Sequence, residues 1–387
     1  MSESLRIAFY TDSFLPAVDG VVISILNFRK ELERRGHEVY IYASGTDATK
    51  RLAAKDKRLI VVNGIKFSRY PQYSLALFPL ESKLRTMHIK TDINHAHTPF
   101  MMGVHSLMVS KMDRVPIVGS FHTMFTDKSV IKDYTVNNSA VVKAISKYSW
   151  SYARFFYNKC DGVAAPSVAL KRILERKQIR NVNVVPNGID TKKFNPKVDG
   201  SKVRERLTHG KRSKVVMYVG RVSREKKLET MIKAARRMRK DDVVFAIVGS
   251  GPADAYYRNL VARMGLGNVK FMGFVDNAKL PEYYAACDAF CIPSTFETQG
   301  VVSLEAMAVG KPVIGADYLA IKDLINNGRN GERFSPGDDS ECARKIRKVL
   351  YNLSSYKEPV ETAKRYSIGV ATNELLDLYG KVLDNKG

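Results

Sequence analysis

The chain has 387 residues, 45% of them hydrophobic and 26% charged, with Gly 25 and Pro 14. These proportions exclude a disordered, collagen-like or fibrous chain, and the length predicts two domains, each with its own core. Lys and Arg number 63 against 39 Asp and Glu, a net charge of +24. Residues 1–200 hold 31 basic and 17 acidic residues, and the remainder 32 and 22, so no basic tail carries the excess. Such a field favours nucleic acid, anionic lipid or phosphorylated ligands, with plain solubility charge as the alternative. The four cysteines (Cys160, Cys287, Cys291, Cys342) include no CxxC pair. That argues against a disulfide framework or a structural zinc site and fits a reduced, intracellular setting. The first residues, MSESLRIAFYTDSF, lack a signal-peptide pattern. No apolar run reaches the ~18–20 residues that span a bilayer.

The elements follow in chain order. RIAFYT at 6–11 reads as a short buried strand. A turn at 16–20 leads into an amphipathic helix at about 21–35, which Gly36 stops, and 37–43 alternates as a second strand. Further strands are predicted at 59–62, 93–96, 117–121, 162–165 and 182–185. The pattern then restarts with a buried strand at 214–219, a helix at 228–239 and a strand at 243–248. It continues with strands at 268–272, 289–292 and 312–316. Strand and helix alternating at this spacing predict an α/β chain, two Rossmann-like parallel-sheet domains facing across a cleft. The polar segment 194–210 reads as their connection. Ligands of parallel sheets bind beyond the carboxyl ends of the strands, so the strand ends carry the candidate site.

The segment STFETQGVVSLEAMAVG at 294–310 follows the strand 289–292. It places Glu297 in a loop and starts a helix near Gly300. The free N–H groups around Gly300, Val301 and Val302 suit a phosphate, and a glycine lets the backbone approach it closely. Glu305 lies eight positions after Glu297, ~80° off alignment on one helix, so the two do not form one ridge. A capped helix with two surface glutamates is the alternative. GRVSREKK at 220–227 leaves the strand 214–219, and Arg221 and Lys226 there can clamp a diphosphate. A solvated charge run is the other reading. Gly20, in the loop after the first strand, and the strand-end histidines His95, His97 and His122 complete the candidates. Gly249-Ser250-Gly251-Pro252 lacks the third glycine of a dinucleotide fingerprint, because Asp254 stands there, and reads as a tight turn.

Taken in order, DSFLPAVDGV, DINHAHTPF, FHT, VAAPS, VVPNGIDTKKF, GRVSREKKLETMI, ETQGVVSLEAMAVGKPVIG and SIGVATNELLDLYGKVL resemble the retaining glycosyltransferases of family 4, which have the GT-B fold. The resemblance spans nearly the whole chain. It implies an acceptor-binding domain over 1–200, a nucleotide-sugar-binding domain over 201–366, and a helix over 367–387 that crosses back to the first domain. It implies that Glu297 contacts the donor sugar, Glu305 the ribose, Arg221 and Lys226 the diphosphate, His122 the sugar, and Gly20 the phosphates. It implies a nucleotide-diphosphate sugar as co-substrate, retention at the anomeric carbon, and neither cofactor nor metal. Gln299 departs from the phenylalanine of many members. ETQG and FHT resemble the branch that glycosylates diacylglycerol, related to phosphatidylinositol mannosyltransferases. UDP-glucose is the first expected donor, and GDP-mannose, or a soluble or polysaccharide acceptor, the alternative.

The helix VVKAISKYSWSYARFFY at 141–157 carries Val141, Ile145, Tyr148, Tyr152 and Phe155 as one stripe. Lys143, Lys147 and Arg154 fall on the opposite, exposed face, with Trp150, the chain's one tryptophan, among them. Residues 128–180 hold 11 basic and 3 acidic residues. An aromatic ring among lysines suits a membrane–water interface, against a plain solvated face. The expectation is an enzyme at the cytoplasmic face of the cell membrane, meeting a lipid acceptor in an anionic leaflet. The rival from another class is a basic nucleic-acid-binding protein, but no recognised binding motif is present and no nucleic-acid partner is expected. An epimerase on the same scaffold is disfavoured by the two-glutamate block and PNGID.

Overall fold

The structure is a computed structural model that describes residues 4–17, 19–67, 70–76, 89–128, 131 and 138–385. The chain divides into two compact units, Met1–Gly188 with Ile368–Gly387, and Ile189–Ser367.

The first unit contains β1 (Arg6–Thr11), α1 (Gly20–Arg34), β2 (Glu38–Gly45), α2 (Asp47–Ala53), β3 (Leu59–Phe67), β4 (Tyr70–Ala76) and β5 (Ile93–Ala96). It continues with α3 (Met101–Asp113), β6 (Ile117–Ser120), α4 (Ser139–Tyr157), β7 (Gly162–Ala165), α5 (Val168–Arg176) and β8 (Val182–Val184). The strands form one sheet in the order β4-β3-β2-β1-β5-β6-β7-β8. Every pairing is parallel except β3 with β4, which is antiparallel. Central parallel strands are covered on both faces, which is why RIAFYT reads as a continuous apolar run. Five of its six residues are buried. The order reverses beside β1, which has β2 on one side and β5 on the other. The segments that follow β1 and β5 therefore open at the place where such sheets receive ligands.

The second unit contains α6 (Ser201–Thr208), β9 (Lys214–Val219), α7 (Leu228–Arg237), β10 (Val243–Val248), α8 (Asp254–Arg263), β11 (Val269–Gly273), α9 (Leu280–Ala286) and β12 (Ala289–Ile292). After these come α10 (Val301–Ala308), β13 (Val313–Ala316), α11 (Leu319–Leu324), β14 (Gly331–Phe334), α12 (Asp339–Tyr351) and α13 (Pro359–Lys364). Its sheet is all parallel, in the order β11-β10-β9-β12-β13-β14. Here the order reverses between β9 and β12.

The unit boundary lies at Gly188, ahead of residue 200. Ile189 and Phe194 are buried in the second unit's core beside Val215, Tyr284 and Ala363. The segment 194–210 is more than a connection, because it holds α6, whose Val203 and Leu207 pack into the same core. The closing helix α14 (Ile368–Asp384) belongs to the first unit. Its Leu375, Leu378, Tyr379 and Val382 are buried with Ile7, Ile25 and Val118. Each such aliphatic side chain contributes on the order of 2 kcal/mol.

Two strands have no counterpart in the sequence-based expectation, β4 and β14. In β14, GERF, the apolar pattern is broken by Glu332. Its side chain is buried all the same. Lys345 and Lys348 pair with it at 2.8 and 2.6 Å, and the Tyr356 hydroxyl donates to it at 3.1 Å.

Gly249 ends β10 with φ +130°, and a Cβ there would stand 1.9 Å from the Gly220 carbonyl oxygen. The glycines of GSGP thus serve backbone packing between the loops after β9 and β10, as the tight-turn reading expects. Gly249→Ala combines a disfavoured φ with a backbone clash, so it should destabilise the second unit by about 3 kcal/mol or more. Urea melts of the variant against the parent check this.

Candidate functional site

The second unit gathers its candidate residues at the reversal between β9 and β12. The loop after β9 carries Arg221 and Lys226, and the loop after β12 carries Glu297. Lys226 Nζ lies 2.7 Å from Glu297 Oε1 and donates to the Phe296 carbonyl at 3.4 Å. The two side chains are only 19% and 13% exposed, so the pair is largely shielded from water, and removing one partner leaves the other's charge uncompensated. The Tyr218 hydroxyl donates to the Arg221 carbonyl at 3.0 Å and fixes that turn. Arg224 stacks 3.5 Å above the Tyr256 ring. The run RVSREKK is therefore an anchored loop and not a solvated string of charges.

The helix α10 begins where the sequence places it. Gly300 is its cap, with φ +82°, a conformation that favours glycine. A Cβ at Gly300 would stand 2.7 Å from Ile321 Cδ1, so the glycine is required by φ and by core packing as much as by any ligand. The first-turn N–H groups of Val301 and Val302 are among those a helix leaves without intrahelical partners. Ser303, one turn in, is buried and its hydroxyl has no hydrogen-bond partner among the described residues.

Glu305 is not a surface glutamate. It is buried, and the Tyr284 hydroxyl donates to its Oε2 at 2.8 Å. Burial pushes its carboxyl up to about 7, against the opposing pull of the Tyr284 hydrogen bond and the Lys193 charge. Lys193 is held in turn by donating to Asn277 Oδ1 at 2.9 Å. Tyr284 was not legible as a site residue, because its stretch carries no motif, and Lys193 stands within VVPNGIDTKKF, but nothing local shows that its charge reaches Glu305.

In the first unit the candidates again sit at strand ends. Asp19 caps α1, accepting from the Val21 and Val22 N–H groups at 2.9 Å each and from Ser13 Oγ at 2.9 Å. Gly20 opens the helix, and among the described residues beyond its own chain neighbours and helix backbone no atom lies within 4 Å of where its Cβ would stand. Val18, within the expected turn, lies outside the described residues. Asp12 is buried and accepts from Thr98 Oγ1 at 2.5 Å and the Met102 N–H at 3.0 Å, and burial lifts its carboxyl to about 6.

The three histidines form one assembly. His95 Nδ1 meets the Tyr379 hydroxyl at 2.7 Å and its Nε2 meets Ser120 Oγ at 2.8 Å. His97 stacks on His95 with ring centres 4.1 Å apart, and its Nδ1 lies 3.0 Å from His122 Nε2. His122 also hydrogen-bonds Asn187, whose Oδ1 accepts from Ser24 at 2.9 Å. Burial pushes His122 down to about 4 and His95 to about 3. A His122 held neutral by burial, with its Nε2 engaged by His97, is a poor proton acceptor. The sequence shows the histidines but not their contact, which depends on β5 lying beside β6.

The helix α4 corrects the sequence-based stripe. Val141, Tyr148 and Phe155 are exposed, at 39%, 73% and 60%, and the buried line is Val142, Ser146, Ala153, Phe156 and Tyr157. Two glycines decide this. A Cβ at Gly103 would stand 2.9 Å from the Phe156 ring, and one at Gly119 3.1 Å from the Tyr157 ring. Those hollows accept the two rings and turn the helix. Trp150 is half-buried, stacked on Phe121 at 6.2 Å with Lys177 Nζ 5.2 Å from its centre. Lys143, Lys147 and Arg154 are exposed as expected. Part of the basic stretch 128–180, residues 129, 130 and 132–137, lies outside the described residues.

Each unit is thus a doubly wound α/β domain with charged and polar groups at its strand reversal, the architecture of nucleotide-binding enzymes. The comparisons with known proteins give the family. A model of glycosyl transferases group 1 matches residues 199–366, and one of Glycosyltransferase Family 4 matches residues 18–193. The chain is 30% identical to the sulfoquinovosyl transferase SQD2 of Arabidopsis thaliana, over 97% of this chain and 73% of that one. It is 26% identical to the alpha-monoglucosyldiacylglycerol synthase of Streptococcus pneumoniae, over 94% and 82%. It is 27% identical to a GDP-mannose-dependent alpha-mannosyltransferase of Mycolicibacterium smegmatis, over 99% of each. The crystal structure of Anabaena HepE in complex with UDP has the same fold, with a TM-score of 0.76 at 22% identity over 97% of this chain and 100% of that one. The chain belongs to the family 4 glycosyltransferases, of GT-B fold.

Two pH effects follow. The raised Glu305 keeps its proton in the native state until about pH 7, while the unfolded chain loses it near 4.5. Stability therefore falls as pH rises through that window. Glu305→Gln, which keeps the Tyr284 hydrogen bond, should match the parent at pH 4.5 and exceed it at pH 8 by on the order of 3 kcal/mol in urea melts. The histidines act oppositely. Their native pKa values are depressed, so the stability they contribute is full above pH 6.5 and is lost as pH falls through about 4 for His122. Replacing His95 with Phe should flatten that acid limb in the same melts.

Proposed function

We propose that the second unit binds the diphosphate of a sugar nucleotide, and that the enzyme moves a hexose from it, with retention at the anomeric carbon, to a hydroxyl of a lipid acceptor such as diacylglycerol. The observation that carries this reading is the Lys226–Glu297 pair, 2.7 Å long, beside the cap of α10 at the sheet's reversal. A cation and free helix amides there suit a diphosphate, and a carboxylate next to them suits the hydroxyls of the attached sugar.

The leaving group gains negative charge as the bond to the sugar breaks. Arg221, Lys226 and the N–H groups of Val301 and Val302 stabilise that charge as it develops, a part otherwise played by a divalent ion. Lys226 exchanges its partner as the donor enters. Its ammonium passes from Glu297 to the phosphate, and Glu297 turns to the sugar. Glu305 takes the ribose, whose two hydroxyls suit an acceptor held near neutrality. The acceptor hydroxyl attacks from the side on which the diphosphate departs, and its proton passes to a departing phosphate oxygen. His122 is not the base.

UDP-glucose is the first donor in this reading. The glucosyldiacylglycerol synthase relative supports the sugar and the lipid acceptor, and the UDP complex of HepE supports the base. The mannosyltransferase relative makes GDP-mannose the second. A thermal-shift screen of sugar nucleotides decides between them, because a ligand that binds only the folded state raises its melting temperature. Glu297→Gln should lower kcat by at least ~100-fold while the variant melts as a folded protein. Parent-like turnover in that variant, measured with the donor the screen selects, would refute the assignment.

A further inference from the structure

The exposed face of α4 has two chemically different edges. Helical spacing sets Lys143, Lys147 and Arg154 along one edge and Val141, Tyr148 and Phe155 along the other. Exposed small residues, Ala140, Ala144 and Ser151, lie between them. The basic edge opens into a groove of about 900 Å³ beside α4. Among the described residues, six cations line it, Lys128, Lys143, Lys147, Arg154, Arg176 and Lys177, against the one carboxylate of Asp127. They come from three parts of the fold, the segment before α4, α4 itself and the end of α5. Trp150 lines the groove as well, between Phe121 and the Lys177 ammonium. All four residues that the sequence suggested for a membrane surface meet here.

We propose that this face of α4 and the adjoining groove form a docking surface for an anionic phospholipid bilayer, the groove taking phosphate headgroups and the Tyr148–Phe155 edge entering the interface. The proposal deepens the lipid-acceptor reading and rests on it for its purpose, since an acceptor held in a leaflet must be met at the leaflet. Charge complementarity selects an anionic surface. The aromatic edge selects a bilayer over a soluble phosphate, which would engage the cations and leave Tyr148, at 73% exposure, and Phe155, at 60%, in water. The enzyme then works as a peripheral protein at the cytoplasmic leaflet. Among the described residues no helix is long and apolar enough to cross a membrane.

The test is co-sedimentation of the full chain with vesicles of phosphatidylcholine alone and of phosphatidylcholine mixed with phosphatidylglycerol. The parent should bind the mixed vesicles and not the neutral ones. Each cation near such a leaflet multiplies binding about fivefold, so Lys143→Gln with Lys147→Gln should weaken it about 25-fold. Tyr148→Ser with Phe155→Ser should weaken it at least about fivefold and abolish what persists at high salt. Both double variants should keep the parent's melting temperature and its sugar-nucleotide shift. Parent-like sedimentation of either double variant overturns the proposal. So does displacement of the parent from vesicles by inositol hexakisphosphate or single-stranded DNA with the aromatic variant unaffected, which marks a soluble-phosphate or nucleic-acid site. Glycolipid synthesis on acceptor dispersed in detergent, assayed in the same variants, separates the two readings. If it persists while vesicle binding is indifferent to the variants, docking fails and the acceptor assignment stands.

Discussion

The ion pair between Lys226 and Glu297 joins two loops 71 residues apart in the chain. Both side chains are largely shielded from water, so each is the other's chief partner. The pair is held because β9 and β12 are neighbours in the sheet, although β10 and β11 lie between them in sequence. Much of the second unit serves that adjacency. Gly249 lets the loop after β10 rest on the loop after β9. Gly300 turns the chain into α10 so that the helix start follows Glu297 directly.

Burial does different work in the two units. In the second it raises Glu305 to about 7, which leaves a carboxyl balanced between its two forms near neutrality. In the first it lowers His122 to about 4, which keeps the histidine assembly neutral and its hydrogen-bond directions fixed. The same desolvation thus makes one group adaptable and the other rigid, since it opposes charge on a base and on an acid alike. The rigid assembly reaches from Tyr379 on α14 through His95 and Ser120, and by stacking through His97 to His122 and Asn187. This ties the last helix of the chain to the strand ends of the first unit and gives α14 a polar role beside its apolar one.

Charge is likewise used unevenly. Several basic residues of the second unit are committed to partners within the fold, as Arg204 is to Asp288, Arg347 to Asp241 and Lys345 to Glu332. On α4 and around its groove the basic residues instead line one surface, with one carboxylate, Asp127, among the described residues that line it. A high net charge is therefore two things here, a network that fixes the second unit and a patch that faces outward.

The sequence alone determined the alternation of strands and helices, the start of α10 at Gly300, and the placement of Arg221, Lys226, Glu297 and His122 beyond strand ends, because these depend on local periodicity and on turn residues. It also carried the family, through eight segments in order. It did not determine β14, whose Glu332 is buried with two lysines and a tyrosine brought from elsewhere, nor the boundary at Gly188, where Ile189 and Phe194 join a core built mostly from later residues. The orientation of α4 was equally out of reach. Its apolar residues support two stripes, and the hollows left by Gly103 and Gly119, in other elements, select the one that holds Phe156 and Tyr157. Tertiary structure decided which charges meet, which are buried and which remain outside, because solvation and pairing depend on neighbours distant in the chain, and no local pattern records them.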